Sequence, residues 1–232
     1  YIIGRKAATL ANMREATALW RSGFSGARTT LPGLEVEVSP PAPHLPIYLA
    51  ASGPKALQLA GEIGDGVLIM VGASVGTVQW ALDNVQIGME RGGRSRSEVK
   101  RFVVVTARVD DDVEAAIDQM RPTTAALYRH RESRTLLERA GLSVPDRIPP
   151  LPNVYPDLGH AVDWEEAKRV CGFVTDDAVR ALTATGTAAE VTARARSLME
   201  LDIDGLWWRD EATYTHPEVL MRRLSEEVLL AL

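Results

Sequence analysis

The 232-residue sequence contains only one cysteine, Cys171, so it cannot form an internal disulfide framework. We therefore expect a reducing, cytoplasmic setting. Cys171 lies in the apolar stretch 169–173, which favours a small buried side chain over a nucleophile. The sequence also lacks an apolar run near the roughly 18 residues that a membrane span needs, and we expect no membrane association.

Lysine is scarce as well, with four lysines against 22 arginines and a formal net charge of −5. The arginines are scattered among acidic residues, and no basic stretch is interleaved with aromatic residues. Nucleic acid is therefore not an expected partner. The sequence begins at Tyr1, without an initiator methionine, a signal peptide or a clear helix start, and we expect it to begin inside a domain.

Short apolar segments alternate with amphipathic ones from residue 46 onward. The predicted strands are 47–51, 65–70, 102–107 and 205–208, and the predicted helices are 54–63, 75–89, a helix from Val113, 188–198 and 217–230. This alternation predicts an α/β fold with a parallel sheet. A helix over 5–22 and a hairpin or extended excursion over 28–38, around Pro32 and Gly33, are predicted before the first strand of this series.

Residues 121–172 interrupt the alternation between the third and fourth predicted strands. This segment combines a charged helical stretch over 125–140, five prolines between 145 and 156, and a short helix over 164–170. We interpret it as an insertion. Insertions of this kind commonly form a lid or an oligomer contact, such as that of a homodimer. A solvated linker is the alternative.

The turn Ser52-Gly53-Pro54 joins the first predicted strand of this series to its helix. Pro54 suits the first helical position, where its missing N–H costs nothing. A strand that turns into a helix amino terminus leaves several backbone N–H groups pointing the same way, which suits a phosphate or another small anion. The alternative is a tight turn without a ligand.

Four motifs in order resemble the luciferase-like family of flavin- and deazaflavin-dependent oxidoreductases. These motifs are Ala-Ala-Ser-Gly-Pro-Lys at 50–55 with Leu-Ala-Gly-Glu at 59–62, Gly-Asp-Gly-Val at 64–67, Gly-Met-Glu-Arg-Gly-Gly-Arg at 88–94, and Thr-Gly-Thr-Ala-Ala-Glu-Val at 185–191. The first is closest to the branch of methylenetetrahydromethanopterin reductase and the dehydrogenases that use the deazaflavin F420.

The resemblance implies a (β/α)8 TIM barrel, of which residues 1–232 match only the carboxy-terminal part, about strands five to eight. Four strands would leave an open sheet with two exposed edges and an uncovered inner face, which is an aggregation hazard. We therefore expect this chain by itself to be inactive and poorly folded.

The resemblance also implies a cofactor site at the carboxyl ends of these strands. The expected cofactor-binding residues are Ala51, Ser52, Gly53, Pro54, Lys55, Ala56 and Gly72. In this family the catalytic acid–base residues come from the first four strands, so no catalytic residue can be assigned here. The strand ends in this chain show no facing carboxylates and no metal-ligand spacing, and we expect no metal.

Substrate contacts are less clearly indicated, and the candidates are Met70, Ala73, Arg108 and Arg209. For Arg108 and Arg209, ordinary surface arginines at helix starts are the alternative. The family's sugar-phosphate dehydrogenases have a lysine at the position of Ala73, and its absence argues against a sugar-phosphate substrate.

The function implied is hydride transfer between a small organic substrate and F420. An FMN-dependent monooxygenase is the alternative within the family. Three alternatives lie outside this family function. They are a non-catalytic half-barrel that binds a phosphorylated ligand, an inactive fragment, and an unrelated phosphate-binding barrel such as an isomerase.

Overall fold

A computed structural model describes residues 8–27, 29–31, 34–36, 41–42, 45–128, 132–143, 161–210 and 217–232. The chain forms two compact units, one of residues 1–68 and 84–100 and the other of residues 69–83 and 101–232. Among the described residues, no helix is long and apolar enough to cross a membrane. The predicted turn residues Pro32 and Gly33, and the prolines between 145 and 156, lie outside the described residues.

The first unit begins with a helix and a hairpin, followed by the first strand–helix pair. Its elements are α1 (Leu10–Phe24), β1 (Thr29–Leu31), β2 (Leu34–Val36), β3 (Tyr48–Ala51) and α2 (Pro54–Ile63). Two further elements, β4 (Gly66–Ile69) and α3 (Val75–Arg91), contribute residues to both units. The antiparallel pairing of β1 with β2 confirms the hairpin.

Helix α1 begins at Leu10, five residues later than the predicted start. Thr9 forms a capping box with Asn12, in which each side chain bonds the other residue's backbone N–H. The helix continues through Gly23 to Phe24, so Gly23 does not end it as predicted. Local capping, and not the apolar periodicity, sets the first residue of this helix.

Two glycines allow α2 to lie directly against the last turns of α3. A Cβ atom on Gly88 would lie 1.8 Å from the carbonyl oxygen of Gln58, and one on Gly61 would lie 2.2 Å from that of Val85. Any side chain at these two positions would push the helices apart. Leu57, fully buried, contributes apolar surface to the same helix.

The second unit contains the remaining elements in chain order. They are β5 (Lys100–Val109), α4 (Val113–Leu127), α5 (Ser133–Arg139), α6 (Trp164–Val170), α7 (Asp176–Leu182), β6 (Ala184–Gly186), α8 (Ala188–Met199), β7 (Gly205–Arg209) and α9 (Glu218–Arg223). After α9 the chain continues in a π turn and a 3-10 turn to Ala231, so the predicted single helix over 217–230 is interrupted.

Strand β5 pairs in parallel with β6 and with β7, each along a different part of its length. Residues 102–106 pair with 205–209 of β7, and residues 107–109 pair with 184–186 of β6. The parallel arrangement is confirmed, but β6 and the preceding α7 were not predicted. The described residues after 46 therefore contain five strands, one more than the four inferred from the sequence. Strand β6 has only three residues, too few to show a strand pattern.

Helix α4 begins where expected, with Asp112 as its N-cap, but extends through Pro122 to Leu127. Residues 121–127, the start of the predicted insertion, therefore belong to a helix that begins before it. Within the described part of 121–172, Trp164 donates its indole N–H to the carbonyl oxygen of Gln119 at 3.2 Å. Helix α6 thus packs against α4. The boundaries of the insertion and its role stay predictions.

Candidate functional site

The turn after β3 forms as predicted, with Gly53 as the N-cap of α2 and Pro54 as its first residue. The carbonyl oxygen of Gly53 accepts a hydrogen bond from the N–H of Leu57 at 2.9 Å, which closes the first helical turn. No side chain caps this helix. The N–H groups of Lys55 and Ala56 therefore point out of the helix end with no carbonyl of the helix to receive them.

The first turn of α2 has a positively charged side chain and no negatively charged one. The first turn of α2 contains no acidic residue, although an acid there is the usual complement of the helix dipole. Instead, Lys55 is exposed in that first turn and adds a positive charge. An anion placed against the N–H groups would be stabilised by the helix dipole and by Lys55 together.

The backbone at Gly53 does not itself require glycine. Its φ of −96° and ψ of 156° lie in the extended region that any residue adopts. A tight turn alone therefore does not explain why glycine stands here. Glycine does leave the helix end free of a side chain, which lets a ligand approach the backbone closely. The buried Ala51, 4% exposed, fixes the end of β3 beneath the turn.

A second set of predicted residues follows β4, and it belongs to the other unit. Gly72 has a φ of +84°, which side chains other than glycine rarely adopt. Next to it, Ala73 is completely buried and donates its N–H to the carbonyl oxygen of Leu182 at 2.9 Å. Met70 is half-buried. Ala73 therefore holds the chain against the end of α7 and offers no exposed side chain to a substrate.

Arg108 and Arg209 lie on the same face of the β5–β7 pair. Arg209 pairs in register with Thr106, and Arg108 follows two residues later on β5, where alternate residues share a face. Arg108 forms an ion pair with Asp110 at 3.1 Å. Arg209 keeps solvent contact, while desolvation by nearby protein atoms lowers the pKa of its guanidinium from the ordinary value.

Trp207 shares this face and is 56% exposed. The next residue, Trp208, lies on the opposite face and is half-buried. The alternation expected for these two tryptophans is therefore observed. An exposed indole on the same strand face as two guanidinium groups gives that face aromatic and cationic character, which an aromatic or acidic ligand could contact.

Arg194 of α8 is a residue that sequence reasoning did not identify. Its guanidinium donates Nη2–H to the carbonyl oxygen of Arg180 at 2.8 Å and Nη1–H to that of Ala73 at 3.5 Å. Because Ala73 is 121 residues away in the chain, no local pattern could have signalled this contact. Among the described residues, no group of three or more His, Cys, Asp or Glu side chains is placed to hold a metal ion.

A model of the luciferase-like monooxygenase family matches residues 4–205. The chain is 31% identical over 159 residues to 5,10-methylenetetrahydromethanopterin reductase of Archaeoglobus fulgidus, covering 68% of this chain and 46% of that protein. It is 31% identical over 120 residues to F420-dependent glucose-6-phosphate dehydrogenase of Intrasporangium calvum, covering 48% of this chain and 35% of that protein.

Among solved structures, the coenzyme F420-dependent tetrahydromethanopterin reductase of Methanopyrus kandleri superposes with a TM-score of 0.71 at 19% identity. That superposition covers 97% of this chain and 64% of the other. The likeness shows the α/β fold of this group of proteins. The chain spans about half the length of the curated relatives it matches.

Proposed function

Because this chain belongs to the luciferase-like monooxygenase family, we propose that it provides the phosphate-holding part of an F420 site in an oxidoreductase. The reaction is hydride transfer between an organic substrate and the deazaflavin, whose ring supplies the redox chemistry when it is bound. F420 is favoured over FMN because the glucose-6-phosphate dehydrogenase of Intrasporangium calvum and the superposed reductase of Methanopyrus kandleri are both described as F420-dependent. FMN is the second candidate, since the family model is that of monooxygenases.

We further propose that the chain corresponds to the carboxy-terminal part of a (β/α)8 barrel, about strands five to eight in the sequence-based count, with β6 as an additional strand of that part. Supporting this proposal are the parallel pairs of β5, the strand–helix alternation, and a superposition that covers 97% of this chain but only 64% of its structural neighbour. Catalytic acid–base residues, which the family resemblance assigns to the first four strands, would then lie outside residues 1–232. The residues described here bind and orient; none is assigned a proton-transfer step.

The observation that carries the proposal is the amino terminus of α2. Gly53 leaves the helix end uncovered, the N–H groups of Lys55 and Ala56 lack helical partners, and no acid neutralises the helix dipole. We propose that Ser52 and these N–H groups hold the phosphate of the cofactor, with Lys55 adding charge. Gly72, in the other unit, stays a predicted cofactor-binding residue because the resemblance implies it.

The substrate proposed is not a sugar phosphate. Ala73 is fully buried and carries no charge, so it cannot take the part of a lysine that holds a substrate phosphate. Arg108 and Arg209 are the proposed contacts for an acidic substrate group. Met70, which belongs to the same unit, is proposed as an apolar substrate contact.

The test is a fluorescence titration of the protein at its natural full length with F420 and, in parallel, with FMN. Gly53→Asp places a carboxylate where we propose the phosphate lies, and we expect it to weaken F420 binding by at least about tenfold. Gly172→Asp is the matched control. Gly172 is exposed, its φ is not positive, and a Cβ there meets only one ordinary contact, the Arg169 carbonyl oxygen at 3.5 Å.

Each result has a distinct meaning. F420 binding that Gly53→Asp abolishes and Gly172→Asp spares supports the site and the cofactor. Saturable binding of FMN alone would move the assignment to the monooxygenase chemistry. Equal F420 affinity in wild type and Gly53→Asp would refute the phosphate turn, and binding of neither cofactor would leave the family likeness as one of fold.

A further inference from the structure

A polar cavity of about 450 Å³ is formed by α7, β6 and α8 in the second unit. None of the residues proposed above to hold the cofactor or contact the substrate lines it. Its polar lining residues are two arginines, one glutamate and three hydroxyl residues: Arg180, Thr183, Thr185, Glu190, Arg194 and Ser197. A volume of this size can hold a small organic molecule.

Arg194 is the least compensated charge of this cavity. Its guanidinium donates only to the neutral carbonyl oxygens of Arg180 and Ala73. Among the described residues, no carboxylate lies within ion-pair distance of it. Burial lowers the pKa of Arg194 from its ordinary value, because desolvation disfavours the charged form. The other N–H groups of this guanidinium have no acceptor among the described residues, and an anion in the cavity would supply one.

The other two charged groups of the cavity largely satisfy each other. Arg180 lies 3.4 Å from one carboxylate oxygen of Glu190. The second oxygen of Glu190 accepts the N–H of Thr187 at 2.8 Å, in the capping box that begins α8. That hydrogen bond and the Arg180 charge hold the pKa of Glu190 below its usual range, so the carboxylate is ionised at neutral pH. The lining therefore has two cations and one anion.

The hydroxyl groups are already committed as donors. Thr183 donates to the carbonyl oxygen of Val179 at 2.7 Å, so the 2.7 Å contact between the Thr183 and Thr185 hydroxyls uses the Thr185 hydrogen. Ser197 donates to the carbonyl oxygen of Ala193 at 3.1 Å. The guanidinium groups are therefore the donors that a bound anion would meet, and their planar fork matches a carboxylate.

We propose that this cavity is a binding site for a small organic carboxylate, a monoanion anchored by Arg194 and assisted by Arg180. One excess positive charge matches one negative charge on the ligand. A phosphate dianion fits less well, because its second charge would face the Glu190 carboxylate. The site is separate from the proposed cofactor turn and does not depend on it.

The test titrates the protein at its natural full length with sodium propionate, and with phosphate and chloride at matched ionic strength. Calorimetry gives affinity, and the arginine Nε–H signals in NMR spectra report contact with the guanidinium. We expect saturable propionate binding at one site, weaker phosphate binding, and no saturation by chloride. Arg194→Gln should weaken propionate binding by at least about tenfold. Arg196→Gln removes the same charge from the exposed side of α8 and should leave the affinity unchanged.

Glu190→Gln is a second variant, which tests the charge of the cavity without removing Arg194. Glutamine at this position can retain the capping box with Thr187. Loss of the negative charge should tighten propionate binding by about three- to tenfold, and phosphate binding more. This variant decides the matter if Arg194→Gln fails to fold.

The proposal is overturned if wild type shows no saturable propionate binding, if a folded Arg194→Gln binds as well as wild type, or if Glu190→Gln does not tighten binding. Gly53→Asp should leave propionate affinity unchanged. Failure of the cofactor site and failure of this site are thus distinguishable.

Discussion

Replacing Gly72 with alanine should destabilise the protein by two mechanisms at once. The φ of +84° places the new side chain in the left-handed region, at a cost of about 1–2 kcal/mol. The added Cβ would also lie 3.0 Å from the carbonyl oxygen of Leu182 and 3.1 Å from its Cδ2. That crowding adds about 1–2 kcal/mol, because a backbone carbonyl that already accepts the N–H of Ala73 cannot move freely.

Alanine also restricts the unfolded chain, which returns about 0.4–1 kcal/mol. The net loss expected for Gly72→Ala is therefore about 1.5–3 kcal/mol. Gly141→Ala is the matched control in the same unit, because Gly141 has a φ of +77° and nothing within 4 Å of its Cβ position. It carries the backbone cost without the crowding, and we expect a loss of about 0.5–1 kcal/mol.

Urea unfolding of the protein at its natural full length, followed by circular dichroism, measures both losses. A thermal scan of the same variants separates them as well. Equal losses for Gly72→Ala and Gly141→Ala would refute the contact with Leu182. A Gly72→Ala variant as stable as wild type would refute the backbone conformation itself.

Two further predictions concern titration and reactivity. Burial alone would raise the pKa of Asp65, but hydrogen bonds from Arg21 at 2.9 Å and from the N–H of Ile47 at 2.8 Å outweigh it and lower that pKa below the ordinary 3.8. The stability that Asp65 contributes should thus be complete above about pH 5 and lost as pH falls through its folded pKa, and Asp65→Asn should flatten the acid limb of a stability–pH profile. An unchanged acid limb would contradict this. Cys171 is fully buried, and burial raises the pKa of its thiol to about 11. Ellman's reagent at pH 8 should therefore react slowly with the native protein. After unfolding in guanidinium chloride it should react with one thiol equivalent per chain. Fast reaction of the native protein would contradict the burial.

The elements that sequence predicted well are those whose signals are local. Helix α2 was bounded correctly at both ends, because Pro54 suits the first helical position and a glycine follows its last turn. The predicted helix over 188–198 likewise begins at Ala188, where Thr187 and Glu190 form a capping box. In both cases the residues that fix the boundary lie within four positions of it.

The elements that were missed depend on distant partners. Residues 184–186 form a strand because they pair with 107–109 of β5, and three residues carry no periodicity of their own. Pro122 would ordinarily end a helix, yet it is buried within α4, where the fold tolerates one lost hydrogen bond. Tertiary packing overrode local preference at both places.

The same distinction separates the proposed cofactor turn from the proposed substrate contacts. The turn at Ser52 and Gly53 would bind an anion through backbone N–H groups, whose position is fixed by where the strand ends and the helix begins. Such a site can be located from glycine, proline and apolar periodicity alone. A substrate site is instead composed of side chains brought together by the fold, such as Arg108 and Arg209, which only the β5–β7 register places on one face. The turn could therefore be proposed from the sequence, and the cofactor class was inferred from the family resemblance. The substrate depends instead on which further side chains complete that face.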